Sequence, residues 1–366
     1  MRNLRQKEVS DFLCNQEYTI ALVCARFGKI KTTFDYLNQK SYSNILIIHP
    51  TIPIKKSWLD DVEKWKFDGS RLSYSTTASL SKLTKNKYDL IICDEIQMFS
   101  IKQLQNLRFI IKNQDVKKCI ALTGTLTKKS LQTIKEYTGL EIGVTYTTEQ
   151  GIKDGFITDY RITVVLTELD NQNRYIPITK GSSINQTELQ KYNWLTQKIE
   201  YIKEQYGNLG LLPIMRMAIF KNSLAKKRLT KLLIEKYKHE RLLVFCGTTS
   251  VADGLGIPVF HSKSTEVQLK DDFCSGKIQH LAVCKMLNAG VTVLPINRAI
   301  VNSFDSNAET LGQQLNRLTN FEYDNPDKIA QVTIVCTNTD AERKWLNSAL
   351  EFFSKEKITY KKYEEL

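Results

Sequence analysis

The sequence predicts an α/β protein of two domains, each a parallel sheet with helices on both faces. Three observations predict it. The chain has 366 residues, enough for two domains that each bury a core. Apolar runs of strand type alternate with helical patterns through residues 17–122 and again from residue 241, the order that parallel sheets with crossover helices produce. Polar motifs follow directly on several of the runs, where ligands bind in such sheets, beyond the carboxyl ends of the strands.

Composition narrows the class. With 42% hydrophobic and 25% charged residues the chain reads as globular. Its 52 Lys+Arg against 39 Asp+Glu give a formal charge of +13, which favours a polyanionic partner such as nucleic acid, although surplus Lys also serves as a solvated surface. The eight Cys form no C-x-x-C pair, so reduced core thiols are expected rather than a metal site or disulfides. No apolar run approaches a membrane span and the start, Met1–Gln6, lacks an apolar signal core, so no membrane association and a cytoplasmic location are expected.

Taken in order, the first domain has strand runs at Tyr18–Cys24, Asn44–His49, Arg71–Ser75, Tyr88–Cys93 and Lys118–Leu122, with helices expected near 30–40, 54–66 and 100–111. After the first run comes Arg26-Phe27-Gly28-Lys29-Ile30-Lys31-Thr32-Thr33, a Gly-Lys turn opening a helix. Backbone N–H groups and the helix dipole favour phosphate there, and Lys adds a point charge. Two registers fit. Either Gly28-Lys29 is the Gly-Lys pair and Ile30 takes the place of the Mg²⁺-reaching hydroxyl, or Lys31-Thr32 is the pair and Ile30 takes the Gly place. The first is favoured because Gly adopts a turn conformation that β-branched Ile resists. Thr32 or Thr33 would then replace the missing hydroxyl.

The fourth run ends in Asp94-Glu95-Ile96-Gln97. Adjacent carboxylates at a strand end suit an ATP site, where one holds Mg²⁺ and the other orients and deprotonates the attacking water. A plain acidic strand cap is the competing reading. Pro50-Thr51 follows the second run and Thr123-Gly124-Thr125 the fifth. The former suits contact with a sugar–phosphate backbone or a simple helix cap; the latter could link the metal site to the neighbouring domain. Gly151–Tyr160 reads as a turn-rich boundary, dividing residues 1–158 from 159–354 and leaving a charged tail at 355–366. In the second domain, residues 168–186 read as a loop, 187–206 and 223–238 as helices, and Arg241–Cys246, Val259–His261, His280–Cys284, Arg298–Asn302 and Lys328–Cys336 as strands. Helices are expected near 265–275 and 340–354.

The order of these motifs resembles that of superfamily 2 helicases of the DExH/DEAD-like kind. Leu4-Arg5-Gln6 loosely resembles the element preceding the first strand, although its Gln comes two residues early. Arg26-Phe27-Gly28-Lys29 resembles a Walker A variant, Asp94–Gln97 the DExH/DExQ box and Thr123–Thr125 motif III. In the second domain, Leu243–Cys246 resembles motif IV, His261-Ser262-Lys263 an element that touches nucleic-acid backbone, Met286–Val291 motif V and Gln313–Arg317 motif VI. The compact length and the Arg-Phe-Gly-Lys turn are similar to phage-encoded members.

The resemblance implies two RecA-like domains with ATP in the cleft between them, and an ATP-dependent helicase or translocase acting in phage DNA replication, recombination or repair. It implies ATP binding by Arg5, Gln6, Arg26, Phe27, Gly28, Lys29, Lys31 and Thr32, and Mg²⁺ held by Asp94 through water. Glu95 would activate water; Gln97 and Gln313 would sense the γ-phosphate; Arg317 would stabilise its charge. Thr123, Gly124, Thr125 and Gly290 would couple hydrolysis to movement. Pro50, Thr51, His261, Ser262 and Lys263 would follow the nucleic-acid strand, with DNA favoured over RNA. The departures are Ile30 for a hydroxyl residue, Ala289 for an acidic one in motif V, and Gln314 and Asn320 for motif VI arginines. They leave open a non-hydrolysing ATP- and nucleic-acid-binding clamp. A subunit of a restriction or defence assembly is a further alternative, for which no added nuclease or docking domain is visible. A small-molecule kinase would leave the second set of motifs unexplained.

Overall fold

The computed structural model describes residues 1–83, 87–179, 181–261, 268–284, 296, 298–304, 308–315, 325 and 327–365. Met1–Thr158 falls in one compact unit, and a second begins at Asp159.

The first unit carries one parallel sheet. Its strands are β1 (Tyr18–Val23), β2 (Ile45–His49), β3 (Leu72–Thr76), β4 (Leu90–Asp94), β5 (Lys118–Thr123) and β6 (Glu141–Tyr146), in the order β3-β2-β4-β5-β1-β6. The helices are α1 (Arg2–Cys14), α2 (Lys29–Asn38), α3 (Ile52–Lys64), α4 (Ile101–Asn113), α5 (Lys128–Thr138) and α6 (Thr148–Lys153). β2, β4 and β5 are buried along their whole length, which is why they read as continuous apolar runs. Side chains alternate faces along a strand. Ile45, Ile47, Leu90 and Ile92 therefore join Phe34 and Trp58, from α2 and α3, in one core layer. Leu46, Ile48, Ile91 and Cys93 join Leu104, Leu107 and Ile134, from α4 and α5, in the other. Asp94 continues the 90–92–94 face and so emerges on the side covered by α3.

Local chemistry fixes the helix ends. Pro53 sits in the first turn of α3, where its missing N–H costs nothing. Ser100 and Gln103 cap α4 reciprocally. Thr127 caps the start of α5, and Gly139 ends it in the left-handed region at φ 80°.

The second unit carries a seven-stranded parallel sheet. Its strands are β7 (Asp159–Thr167), β10 (Leu242–Cys246), β11 (Val259–His261), β12 (His280–Cys284), β13 (Arg298–Val301), β14 (Ile329–Thr337) and β15 (Ile358–Lys362), in the order β11-β12-β10-β13-β14-β7-β15. A short antiparallel hairpin, β8 (Ile176–Pro177) with β9 (Asn185–Gln186), lies within the expected loop. The helices are α7 (Glu188–Gln205), α8 (Leu212–Lys221), α9 (Leu224–Lys236), α10 (Thr249–Asp253), α11 (Gln268–Ser275), α12 (Ala308–Leu315) and α13 (Asp340–Ala349). α9 and α13 are joined by a fully buried ion pair, Lys226 to Glu342 at 2.5 Å. The Thr337 N–H, at 2.7 Å, and its hydroxyl, at 2.6 Å, satisfy the remaining carboxylate oxygen.

Residues 355–366, expected as a charged tail, instead include β15, paired in parallel with β7. Lys357 anchors its start on Asp159 at 2.6 Å. The strand is largely exposed, and its Lys361 and Lys362 suit a sheet edge, where charge discourages further pairing. Among the described residues no disulfide joins the cysteines. Among the described residues no helix is long and apolar enough to cross a membrane.

Candidate nucleotide site

The Gly-Lys turn lies at the carboxyl end of β1. Gly28 takes φ 94° at the N-cap of α2, and Lys29 is the first helical residue. A side chain at position 28 would be strained at that φ and would run into Gln6. Arg26 is also in the left-handed region, at φ 67°, uncommon for a non-glycine residue. Two side chains of α1 hold the turn by the Phe27 carbonyl: Gln6 Nε2 donates to it at 2.5 Å and Arg2 Nε at 3.2 Å. The Phe27 ring is fully buried, 4.9 Å from the Tyr146 ring and 6.3 Å from that of Phe156. Phe27 therefore meets the site through its backbone alone. Arg5 lies further out, bonded to Asp154 at 3.0 Å and to Glu8.

The carboxylates converge on Lys29. Its ammonium bonds Glu95 directly and lies 3.8 Å from Asp94 Oδ1. Burial opposes that charge, but Glu95 and Asp94 outweigh it and hold the Lys29 pKa above its ordinary value. Burial pushes the Asp94 carboxyl up, and Lys29 only partly offsets it. Asp94 Oδ2 accepts from the Trp58 indole N–H at 2.8 Å, and Oδ1 from the Glu95 N–H at 3.0 Å. Glu95 stands at φ 50°, a left-handed turn that re-aims its carboxylate as β4 ends. Gln97 Nε2 donates to Glu95 at 2.6 Å, while Gln97 Oε1 is buried and has no partner.

Two hydroxyls expected near the metal are turned away. Thr32 and Thr33 are buried, and they donate to the carbonyls of Gly28 at 3.1 Å and Lys29 at 2.8 Å, the usual back-bond of a mid-helix threonine. Both hydroxyl protons are thereby engaged within α2. Ile30 itself packs against the core layer shared with Phe34 and Trp58.

A cavity of about 480 Å³ opens beside the turn, lined among others by Arg2, Gln6, Gly28, Lys31, Trp65 and Phe156. Lys31 pairs with Asp35, 2.5 Å from Oδ2, and lies 5.3 Å from the Trp65 ring. Burial, and then the like charge of Arg2, lower the Arg26 pKa; a bound anion would act in the opposite direction.

The other expected residues are spread more widely. Gly124 lies against the backbone of Val23 and Ala25, and Thr123 and Thr125 close a turn through a 2.7 Å bond from Thr123 Oγ1 to the Thr125 carbonyl. The Thr125 hydroxyl is buried without a partner. Thr51 is the N-cap of α3 yet makes no side-chain cap, and its hydroxyl is likewise unpartnered; Pro50 precedes it. His261 ends β11, 3.7 Å from Asp253. Gln313 lies on α12. Ser262, Lys263, Gly290 and Arg317 lie outside the described residues.

No protein-family model matches the chain, and no curated protein matches it by sequence. Solved structures do. A fragment of an HsdR-type subunit of a type I restriction enzyme from Vibrio vulnificus superposes with TM-score 0.62 at 14% identity, covering 98% of this chain and 68% of that one. Dbp5 of S. cerevisiae, bound to RNA and ADP BeF3, gives 0.59 at 11% identity, covering 98% and 89%. The Hef helicase domain of Pyrococcus furiosus gives 0.53 at 10%, covering 94% and 97%. The chain has the fold of superfamily 2 helicases. In this helicase-like fold the two parallel sheets are the RecA-like domains.

Sequence reasoning missed the residues that support the turn and the carboxylates. Trp58 was visible as an aromatic on the helix after β2, but nothing in the linear pattern ties it to Asp94. Arg2, Asp61, Lys64 and Trp65 line the cavity without belonging to any motif.

Proposed function

We propose that the chain is a nucleic-acid-dependent ATPase of the helicase kind, using ATP with Mg²⁺ and moving on or remodelling DNA. The observation that carries this reading is the meeting of Lys29, Asp94, Glu95 and Gln97 beside a left-handed glycine at a helix N-terminus. A lysine already held by carboxylates exchanges readily to a phosphate when metal takes up the carboxylate charge.

The donor set suits a hard cation that keeps most of its water, as Mg²⁺ does when held by one or two carboxylates and phosphate. Asp94 would hold it, and bound there it would neutralise charge developing on the phosphates. Lys29 and the N–H groups after Gly28 bind the phosphate chain. Glu95 is positioned by Gln97 to accept a proton from the attacking water. The unpartnered Gln97 Oε1 is free to accept a further hydrogen bond when nucleotide is bound. The cavity lined by Gln6 and Trp65 is of a size to take the base and ribose. Thr51, at the start of α3, is assigned to the nucleic-acid backbone.

DNA is preferred to RNA on the resemblance of the motifs to DNA-acting members; among the structural neighbours, one is a restriction enzyme bound to DNA and another is bound to RNA. The test is ATP turnover with Mg²⁺, alone and with single-stranded DNA, branched DNA or RNA, beside Glu95→Gln. Stimulation by one polymer, lost in the variant, supports the motor. ATP binding without turnover on any polymer supports the clamp, the reading that Ile30 and the turned-away Thr32 and Thr33 favour.

A further inference from the structure

The helix α7 presents a face that the nucleotide site does not use. Residues spaced three and four apart share one side of a helix, which brings Lys191, Trp194, Lys198 and Tyr201 into one stripe. Trp194 is 44% exposed and Tyr201 59%, while Lys191, at the inner edge of the stripe, is buried with Leu195 and Ile199 and donates to the Ile178 carbonyl at 3.4 Å. Both ammonium groups lie over the indole, Lys191 at 4.5 Å and Lys198 at 4.8 Å. On helical geometry Gln190, Gln197 and Gln205 complete the stripe, with Glu204, three residues beyond Tyr201, at its rim, and the helix's Glu188 and Glu200 fall outside it. Among the described residues neither lysine has a carboxylate partner. Burial, and then Lys198, lower the Lys191 pKa, so the pair repels itself and gains from an anion.

We infer that this face of α7 binds single-stranded nucleic acid, with Trp194 and Tyr201 stacking on bases and Lys198 holding a phosphate. The inference rests on the nucleic-acid reading above and adds a contact surface to it. Exposed aromatics beside a lysine, with amide side chains and a single carboxylate at the rim, match a strand that offers a π-face and a phosphate at every step. Seven residues of helix place Trp194 and Tyr201 about 10 Å apart, the span of a few nucleotides.

The test is fluorescence anisotropy of labelled oligothymidylate and oligouridylate with the full chain and with Trp194→Ala, Lys198→Glu and Trp194→Phe. Trp194→Ala should weaken binding about tenfold. Lys198→Glu should weaken it and reduce its salt dependence, and Trp194→Phe should keep most of the affinity. ATP turnover without polymer should be unchanged in all three. Loss on only one oligonucleotide would say which sugar the face takes. If the wild type binds but Trp194→Ala and Lys198→Glu bind equally well, the inference is overturned and the face belongs to another partner. If the wild type binds neither oligonucleotide, the nucleic-acid reading falls and this inference with it.

Discussion

The Trp58 indole N–H donates to Asp94 Oδ2 at 2.8 Å in the interior of the first sheet's core. The bond joins α3, which opens at Thr51, to the carboxylate assigned to the metal. Trp58→Phe keeps an aromatic ring in the core but leaves one buried carboxylate oxygen without its donor. A hydrogen bond to a charged group contributes about 1.5–3 kcal/mol. The expected outcome is a stability loss of that order in urea unfolding, with a higher Mg²⁺ concentration needed for half-maximal ATP turnover. Unchanged Mg²⁺ dependence would make the indole a packing residue only.

Glu95→Gln removes the proton acceptor while keeping size and hydrogen bonding to Gln97. Turnover should fall by at least about a hundredfold, with ATP binding retained. The substitution also leaves Lys29 with Asp94 alone, so ATP affinity should rise or hold rather than fall. Equilibrium binding of a fluorescent ATP analogue, read beside turnover, separates the two effects.

The fold was legible because its central strands are buried on both faces. Tyr88–Cys93 and Lys118–Leu122 announce themselves as apolar runs. Two of the four edge strands were not legible for the same reason: β6, with Gly143 and mostly exposed residues, and β15, with two terminal lysines, carry no such run, whereas the edges β3 and β11 were read. At the site, residues adjacent in sequence, such as Gly28-Lys29 and Asp94-Glu95, could be read directly. The Trp58–Asp94 bond depends on how α3 lies across β4, and the hydroxyl directions of Thr32 and Thr33 depend on the helix carbonyls behind them. Neither leaves a trace in spacing.

Lys118 predicts a pH effect on stability. It opens β5, is 5% exposed, donates to the Leu13 carbonyl and lies 4.7 Å from the Tyr36 ring. Burial lowers its pKa from 10.5 to about 8. Between those values the unfolded chain binds the proton and the folded chain does not, so stability from this group rises with pH across the window. Below about pH 8 the folded state carries the full penalty of a buried charge. Lys118→Met should therefore raise the melting temperature at pH 7 and lose that advantage by pH 10.5. An equal gain at both pH values would show that the lysine is not titrating.

Ile30 decides between motor and clamp. In the favoured register of the Gly-Lys turn it stands where a hydroxyl would reach the metal, and the neighbouring threonines donate theirs to helix carbonyls. Ile30→Thr restores the hydroxyl within a β-branched frame that the helix already accepts. It removes apolar contact with the core layer of Phe34 and Trp58, so a stability cost of about 1 kcal/mol is expected. If slow hydrolysis follows from this one substitution, Ile30→Thr should raise turnover and lower the Mg²⁺ requirement, while Ile30→Val, with no hydroxyl, should do neither. Equal turnover in all three chains would place the limit elsewhere, at the altered positions Gln314 and Asn320.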